Sequence, residues 1–265
     1  MAMRKKSEDS AVINIPLLKR GRSVFHVIGT TPLLMNRFNE KAMMEIFGPS
    51  APKSRAEKAV TAKHDPIAEY RASMYLNRDL DRPTRVHAPN QWFKGALANA
   101  ALDIPGAAKA KIERLVQCSP QIDLYGKPFL HIGLVRNSDI NHTPDVRIRA
   151  IFPEWACKFE LNFVSSVIPG QAVTNLLAAA GEIVGCGDWR PQKGGDRGQF
   201  KIVDPEDEDY RRICAEQGAA VQAAAYANPE TFDNECEDLL ARYIDAMRKR
   251  DIHLTLPDTP RLAAE

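Results

Sequence analysis

The side chains best suited to chemistry lie close together. Gly185, Gly187, Gly194, Gly195 and Gly198 fall within fourteen residues, interleaved with Trp189, Arg190, Lys193 and Arg197 and followed by Phe200 and Lys201. Five of the chain's 15 glycines are concentrated there, which ordinary turn chemistry does not require. Glycine lets a backbone take positive φ and approach a bulky ligand, and exposed amides can bond phosphate oxygens. The cations would neutralise a phosphate chain, Trp189 offers a face for a base, and Phe200 would do the same from a strand. The segment is not a phosphate loop, because no Lys-Ser/Thr pair follows the glycines. Nor is it a dinucleotide fingerprint, because it follows a predicted helix and precedes a predicted strand. ATP, NAD or another cofactor is therefore not expected. The plain alternative is a long loop with Gly185 as a helix C-cap, which accounts for the first glycine alone.

Other candidates are more diffuse. Asn90, Gln91 and Lys94 fall at a predicted helix start, where free amides attract phosphate, and Lys94 is the preferred contact. Trp92 and Phe93 beside them read as core. Arg37 and Lys41, one helical turn apart, either line the same surface or form a solvated face. Lys53, Arg55, Lys58 and Lys63 lie in a small, polar segment that reads as a mobile insertion able to reach a phosphate, or as a plain linker. The six histidines show no H-x-x-x-H or H-E-x-x-H spacing, so no metal site is expected. His26 and His87 are the ones that could act as a general base; the alternative for each is a packed neutral ring. The five cysteines have long gaps and no C-x-x-C pair, which reads as reduced core thiols and not as a disulfide framework.

Charge divides the chain. Residues 1–203 carry 29 Lys and Arg against 19 Asp and Glu, and residues 204–265 carry 7 against 15. A basic body suits a polyanion binder, and an acidic terminal segment suits docking or repulsion of wrong partners. No apolar run approaches the ~18 residues that span a bilayer, and the first residues lack an apolar signal core. A soluble, cytoplasmic protein with no membrane partner is the expectation.

The elements that must position these groups follow from periodicity. Residues 1–22 read as an arm, 23–29 as a strand and 36–47 as a helix, with an insertion at about 36–82. A helix from Asp65 to about Leu76, a strand at 84–87 and a helix at 90–102 come next. Strands are then expected at 112–118, 121–124, 129–135, 146–152 and 158–167. A helix with Pro169 in its first turn runs to Val184, the glycine loop follows, and the strand 199–203 closes the series. Two acidic, Ala-rich helices fill 206–251, ahead of a loose tail. That order suggests an α+β, ferredoxin-like (RRM-like) core over 23–203, with a thumb-type insertion and an acidic helical C-terminal segment over 204–265.

The helix from Pro169, the run from Gly185 to Phe200 and the strand after it resemble the C-terminal glycine-rich element of the RAMP superfamily. These are the ferredoxin-like RNA binders of CRISPR effector complexes, and the backbone subunits are the most similar. The resemblance implies a right-hand-like shape, a thumb-type insertion and RNA bound across the sheet and glycine loop, with head-to-tail assembly. A stand-alone or mobile-element relative is equally compatible. The expected function is non-catalytic binding of single-stranded RNA, or single-stranded DNA, by a homo-oligomer or within a multi-subunit ribonucleoprotein. The alternatives are a metal-independent endoribonuclease with a histidine base, and a DNA-annealing or structural protein of a mobile element.

Overall fold

The computed structural model describes residues 17–37, 62–136, 144–255 and 257. The arm before residue 17, the helix expected at 36–47 with its Lys41, the insertion cations Lys53, Arg55 and Lys58, and most of the terminal tail lie outside the described residues.

The fold is α+β, built on two antiparallel sheets. Its elements are β1 (Arg20–Gly29), β2 (Leu33–Leu34), α1 (Pro66–Ala72), β3 (His87–Pro89), α2 (Asn90–Ala100), α3 (Lys109–Leu115), β4 (Val116–Cys118) and β5 (Gln121–Tyr125). They continue with β6 (Phe129–Arg136), β7 (Pro144–Phe152), β8 (Ala156–Val164), α4 (Gly170–Ala179) with a π turn (Ala180–Val184), β9 (Phe200–Val203), α5 (Glu208–Glu216), α6 (Ala219–Ala227) and α7 (Asn234–Arg248).

The larger sheet runs β3-β5-β8-β1-β9, with β4 also on β8. Each neighbouring pair is antiparallel, so β8 and β9, which flank β1, are parallel to each other and joined over α4. In the same way β1 and β5 flank β8 and are joined over α2 and α3. Alternation along β1 sends Phe25 and Val27 to the helical side and Val24 and His26 to the other. Phe93 of α2 stacks on Phe159 of β8 at 4.3 Å between ring centroids and meets Phe200 of β9 edge-on at 5.4 Å. That aromatic cluster is the centre of the core.

The smaller sheet, β2-β7-β6, pairs β7 with β6 and with a two-residue edge strand that alternation is too short to reveal. The hairpin that the consecutive strands 146–152 and 158–167 suggest is not formed, because the chain passes at Pro153-Glu154 from one sheet to the other, β7 pairing with β6 and β8 with β1. Ile148 and Ala150 point into the shared core, which leaves Arg147 and Arg149 on the outer face opposite Gly133 and His131.

Several expectations need correction. Residues 109–115 are helical, so the strand begins only at Val116; a run of Lys, Ala, Glu, Arg and Leu favours helix, and Ile112 merely supplies its buried side. The helix expected after Asp65 is formed as α1, and it is packed into the body of the molecule. Ile67, Tyr70 and Met74 are buried in the body, and the Tyr70 hydroxyl donates to the Ala225 carbonyl at 3.1 Å. The acidic region forms three helices instead of two, broken at Gly218 and after Asn228.

That acidic region is fastened to the body. Tyr210 and Ile213 of α5 pack on Ile28 and Ala156, on the sheet face opposite α2 and α4. Gln222 of α6 is fully buried: its Oε1 accepts from the Arg85 and Val86 amides at 2.8 and 3.0 Å, and its Nε2 donates to the Leu124 and Gly126 carbonyls at 2.7 and 3.0 Å. A buried amide with every polar atom paired fixes one docking geometry. Among the described residues no helix is long and apolar enough to cross a membrane.

Candidate nucleic-acid interface

The glycine loop is a folded strap between the two sheets. Cys186 N donates to Gly198 O at 2.8 Å, Asp188 N to Leu34 O at 2.9 Å, Arg197 N to Trp189 O at 3.0 Å and Gly198 N to Pro32 O at 2.9 Å. The expectation of a pliable ribbon with free amides is thereby corrected. A half-buried backbone pairs most of its polar groups, and here the amides of Cys186, Asp188, Lys193, Gly194, Gly195, Arg197 and Gly198 are bonded within the protein. Gly198 is required by that pairing: its φ is +71° and a Cβ would lie 1.9 Å from the Cys186 carbonyl oxygen. Gly194 takes φ +77° where the short 3-10 turn Pro191–Lys193 ends.

What the loop offers a ligand is therefore its side chains. Trp189 is 48% exposed, and Gly195 lies directly against its indole. Lys193 is exposed. Arg190 is held by the loop itself, donating from Nη1 to the Gly187 carbonyl at 3.0 Å and from Nε to Gln192 Oε1 at 3.2 Å. Arg197 has its neighbour Asp196 at 3.3 Å, a carboxylate that is itself 78% exposed. Among the described residues neither arginine is paired to a carboxylate of the core. Lys201 is exposed on β9, on the sheet face opposite Phe200.

Two of the expected contacts are corrected. Phe200 is 3% exposed, enclosed by Phe93 and Trp155, and presents no face for a base; alternation along β9 turns it inward and Lys201 outward. Lys94 does not meet the glycine loop but donates to Gln117 of β4 at 3.2 Å. Helical spacing instead brings Gln91, Trp92 and Asn99 to the recess that Arg190 lines. Arg37 N donates to Ser73 O at 2.9 Å, and its positive charge acts on Tyr75 and His87. Tyr75 meets Trp92 edge-on at 5.9 Å, so Arg37, Tyr75, Trp92 and Arg190 form one neighbourhood. Lys63 pairs with Asp145 at 2.7 Å.

The second sheet contributes groups that sequence reasoning missed. Arg149 pairs with Asp188 of the loop and is largely buried, which pushes its guanidinium value down against the pull of the carboxylate. His131 opposite it is held below the ordinary imidazole value, first by burial and then by the charge of Arg197. His131, Trp189, Arg197 and Asp233 line one cleft of about 520 Å3. Asp233 caps α7, and the Cys236 amide draws its carboxyl below the usual range. The signal available in the sequence was the alternation Val146, Arg147, Ile148, Arg149, which puts two cations on one strand face.

The histidines singled out as possible bases lie elsewhere. His26 sits on the far sheet face, 5.2 Å from the Tyr210 ring centroid. His87 packs 5.8 Å from Tyr75, with Nδ1 buried and without a hydrogen-bond partner among the described residues. Both are held below the ordinary imidazole value, chiefly by burial. Cys157, Cys186 and Cys236 are buried free thiols, as the spacing suggested.

Comparison with known proteins leaves the interface to be argued from its own geometry: no protein-family model matches the chain, and no curated protein sequence matches it significantly.

Proposed function

We propose that this protein binds single-stranded nucleic acid, RNA in the first instance, without catalysing its cleavage. One observation carries the reading. An exposed indole, Trp189, stands among Arg190, Lys193 and Arg197, and among the described residues neither arginine is neutralised by a core carboxylate. An aromatic platform beside several cations is the arrangement that stacks a base and follows a phosphate chain. Arg147 on one side, its side chain about half exposed, and Arg37 with Trp92 on the other extend the basic surface beyond the loop.

The antiparallel order β5-β8-β1-β9 with two helical crossovers supports a ferredoxin-like core, and with it the RAMP resemblance. On that reading several copies line up head to tail along one strand in the cytoplasm, and the acidic helix α5 keeps polyanions off the far sheet face.

The test is the salt dependence of RNA binding. Replacing Arg190, Lys193 and Arg197 together with Ala should lower the slope of log K against log salt by about 2, since each phosphate contact on a single strand is worth ~0.7. An unchanged slope overturns the reading. Measuring single-stranded DNA at the same salt decides which polymer is preferred.

A further inference from the structure

The cleft in front of Trp189 has a lining that a phosphate chain alone does not explain. Its size, about 520 Å3, is that of a small-molecule site. One wall is the exposed indole, and Leu34 and Ile132 supply apolar surface. The polar groups are mixed: Arg197 and His131, and with them the carboxylates of Asp196, Asp233 and Glu235. Phosphate beside three carboxylates is repelled, whereas carboxylates are good acceptors for amino and imino hydrogens of a base.

Two features fix where those acceptors stand. Asp233 accepts from the Cys236 amide at 2.8 Å, which anchors its carboxylate at the start of α7. Glu235 follows in the first turn of that helix and makes no hydrogen bond to another described residue. His131, held below the ordinary imidazole value, presents a neutral ring with one donor and one acceptor and adds no positive charge that would draw in phosphate.

We infer that this cleft holds a single nucleobase bearing an amino group on its Watson–Crick edge, guanine above all, stacked on Trp189 and hydrogen-bonded to the carboxylates of α7, with Arg197 at the mouth on the backbone. Guanine offers adjacent N1–H and N2–H donors that one carboxylate accepts together. Adenine and cytosine offer one amino group. Uracil turns two carbonyl oxygens toward the same carboxylates and is disfavoured. The inference deepens the proposed function and rests on it: most of the strand is held by charge, and one position is read.

The probes are oligouridylate 12-mers, all-U or with a single central G, titrated at fixed salt by fluorescence anisotropy against the full chain. The G-bearing strand is expected to bind about tenfold more tightly. Asp233→Asn with Glu235→Gln should remove that preference, so that the all-U and G-bearing strands bind alike; Asn caps a helix as well as Asp, so the start of α7 is kept. Trp189→Phe should retain part of the preference and abolish the quenching of indole emission by the G-bearing strand. Equal affinity for the two strands with an intact salt slope overturns the base site and leaves the proposed function standing. A preference that survives the carboxylate variant overturns the assignment to α7. Absence of salt-dependent binding to either strand overturns both.

Discussion

Gly195 and Trp189 fit so closely that a Cβ on Gly195 would fall 1.6 Å from the indole Cδ1 and 1.9 Å from the Trp189 carbonyl oxygen. The glycine therefore sets the position of the indole, whose own backbone has the uncommon φ of +51°. Gly195→Ala must displace the ring. If the indole stacks on a base, the substitution weakens RNA binding by about 1–2 kcal/mol and shifts the Trp189 emission. Wild-type affinity together with a shifted emission would remove the indole from the binding surface.

Asp188 and Arg149 connect the glycine loop to the second sheet. Arg149 keeps 13% of its side chain exposed and Asp188 keeps 35%, so the pair is shielded but not sealed. Asp188→Ala leaves a mostly buried guanidinium without its partner and should cost about 2 kcal/mol in urea unfolding, below the range for fully buried pairs because water still reaches Asp188. Adding Arg149→Met should recover much of that loss. If the two changes are simply additive, the pair is not coupled.

Phe200 separates packing from binding. Burial among Phe93 and Trp155 implies that Phe200→Ala costs about 3–5 kcal/mol of stability. Phe200→Leu keeps most of the volume and should leave RNA affinity at the wild-type level. A loss of affinity in the folded Leu variant would return this ring to the interface.

Stability should fall on mild acidification. His131 and His87 are both held below the ordinary imidazole value of 6.5, with burial as the first cause. Between the folded and unfolded values the unfolded chain binds more protons, so this contribution is complete above about pH 6.5 and is lost as the pH falls toward the folded values. The melting temperature should be level above about pH 7 and decline below pH 6.5. The depressed carboxyls Glu154 and Asp233 add their own loss only below about pH 4. His131→Gln with His87→Gln should flatten the upper limb of the curve; an unaltered curve would assign the decline to other groups.

Much of the architecture was legible along the chain because short-range rules govern it. Alternation in β1, β6, β7 and β8, Pro169 ahead of α4, and Asp65 before Pro66 at α1 each act through a few neighbouring residues. The misreadings came where long-range packing decides. Residues 112–115 were read as the start of a strand, and nothing in the helix expected after Asp65 hinted that Tyr70 reaches the Ala225 carbonyl. The glycine loop was located correctly but its backbone was misjudged, since nothing local announces that Pro32, Leu34 and Gly198 share one set of hydrogen bonds.

By itself the sequence determined that the fold is α+β, that basic groups gather around a glycine-rich turn after a helix, and that an acidic helical region closes the chain. Only the tertiary structure decided that the turn is internally bonded, that Phe200 faces inward while Lys201 faces out, and that Arg149, His131 and Asp233 come together beside Trp189. The reason is physical. Periodicity and charge are properties of neighbours along the chain, whereas a site built from β6, β7, the loop and α7 exists only once residues far apart in sequence have been folded against one another.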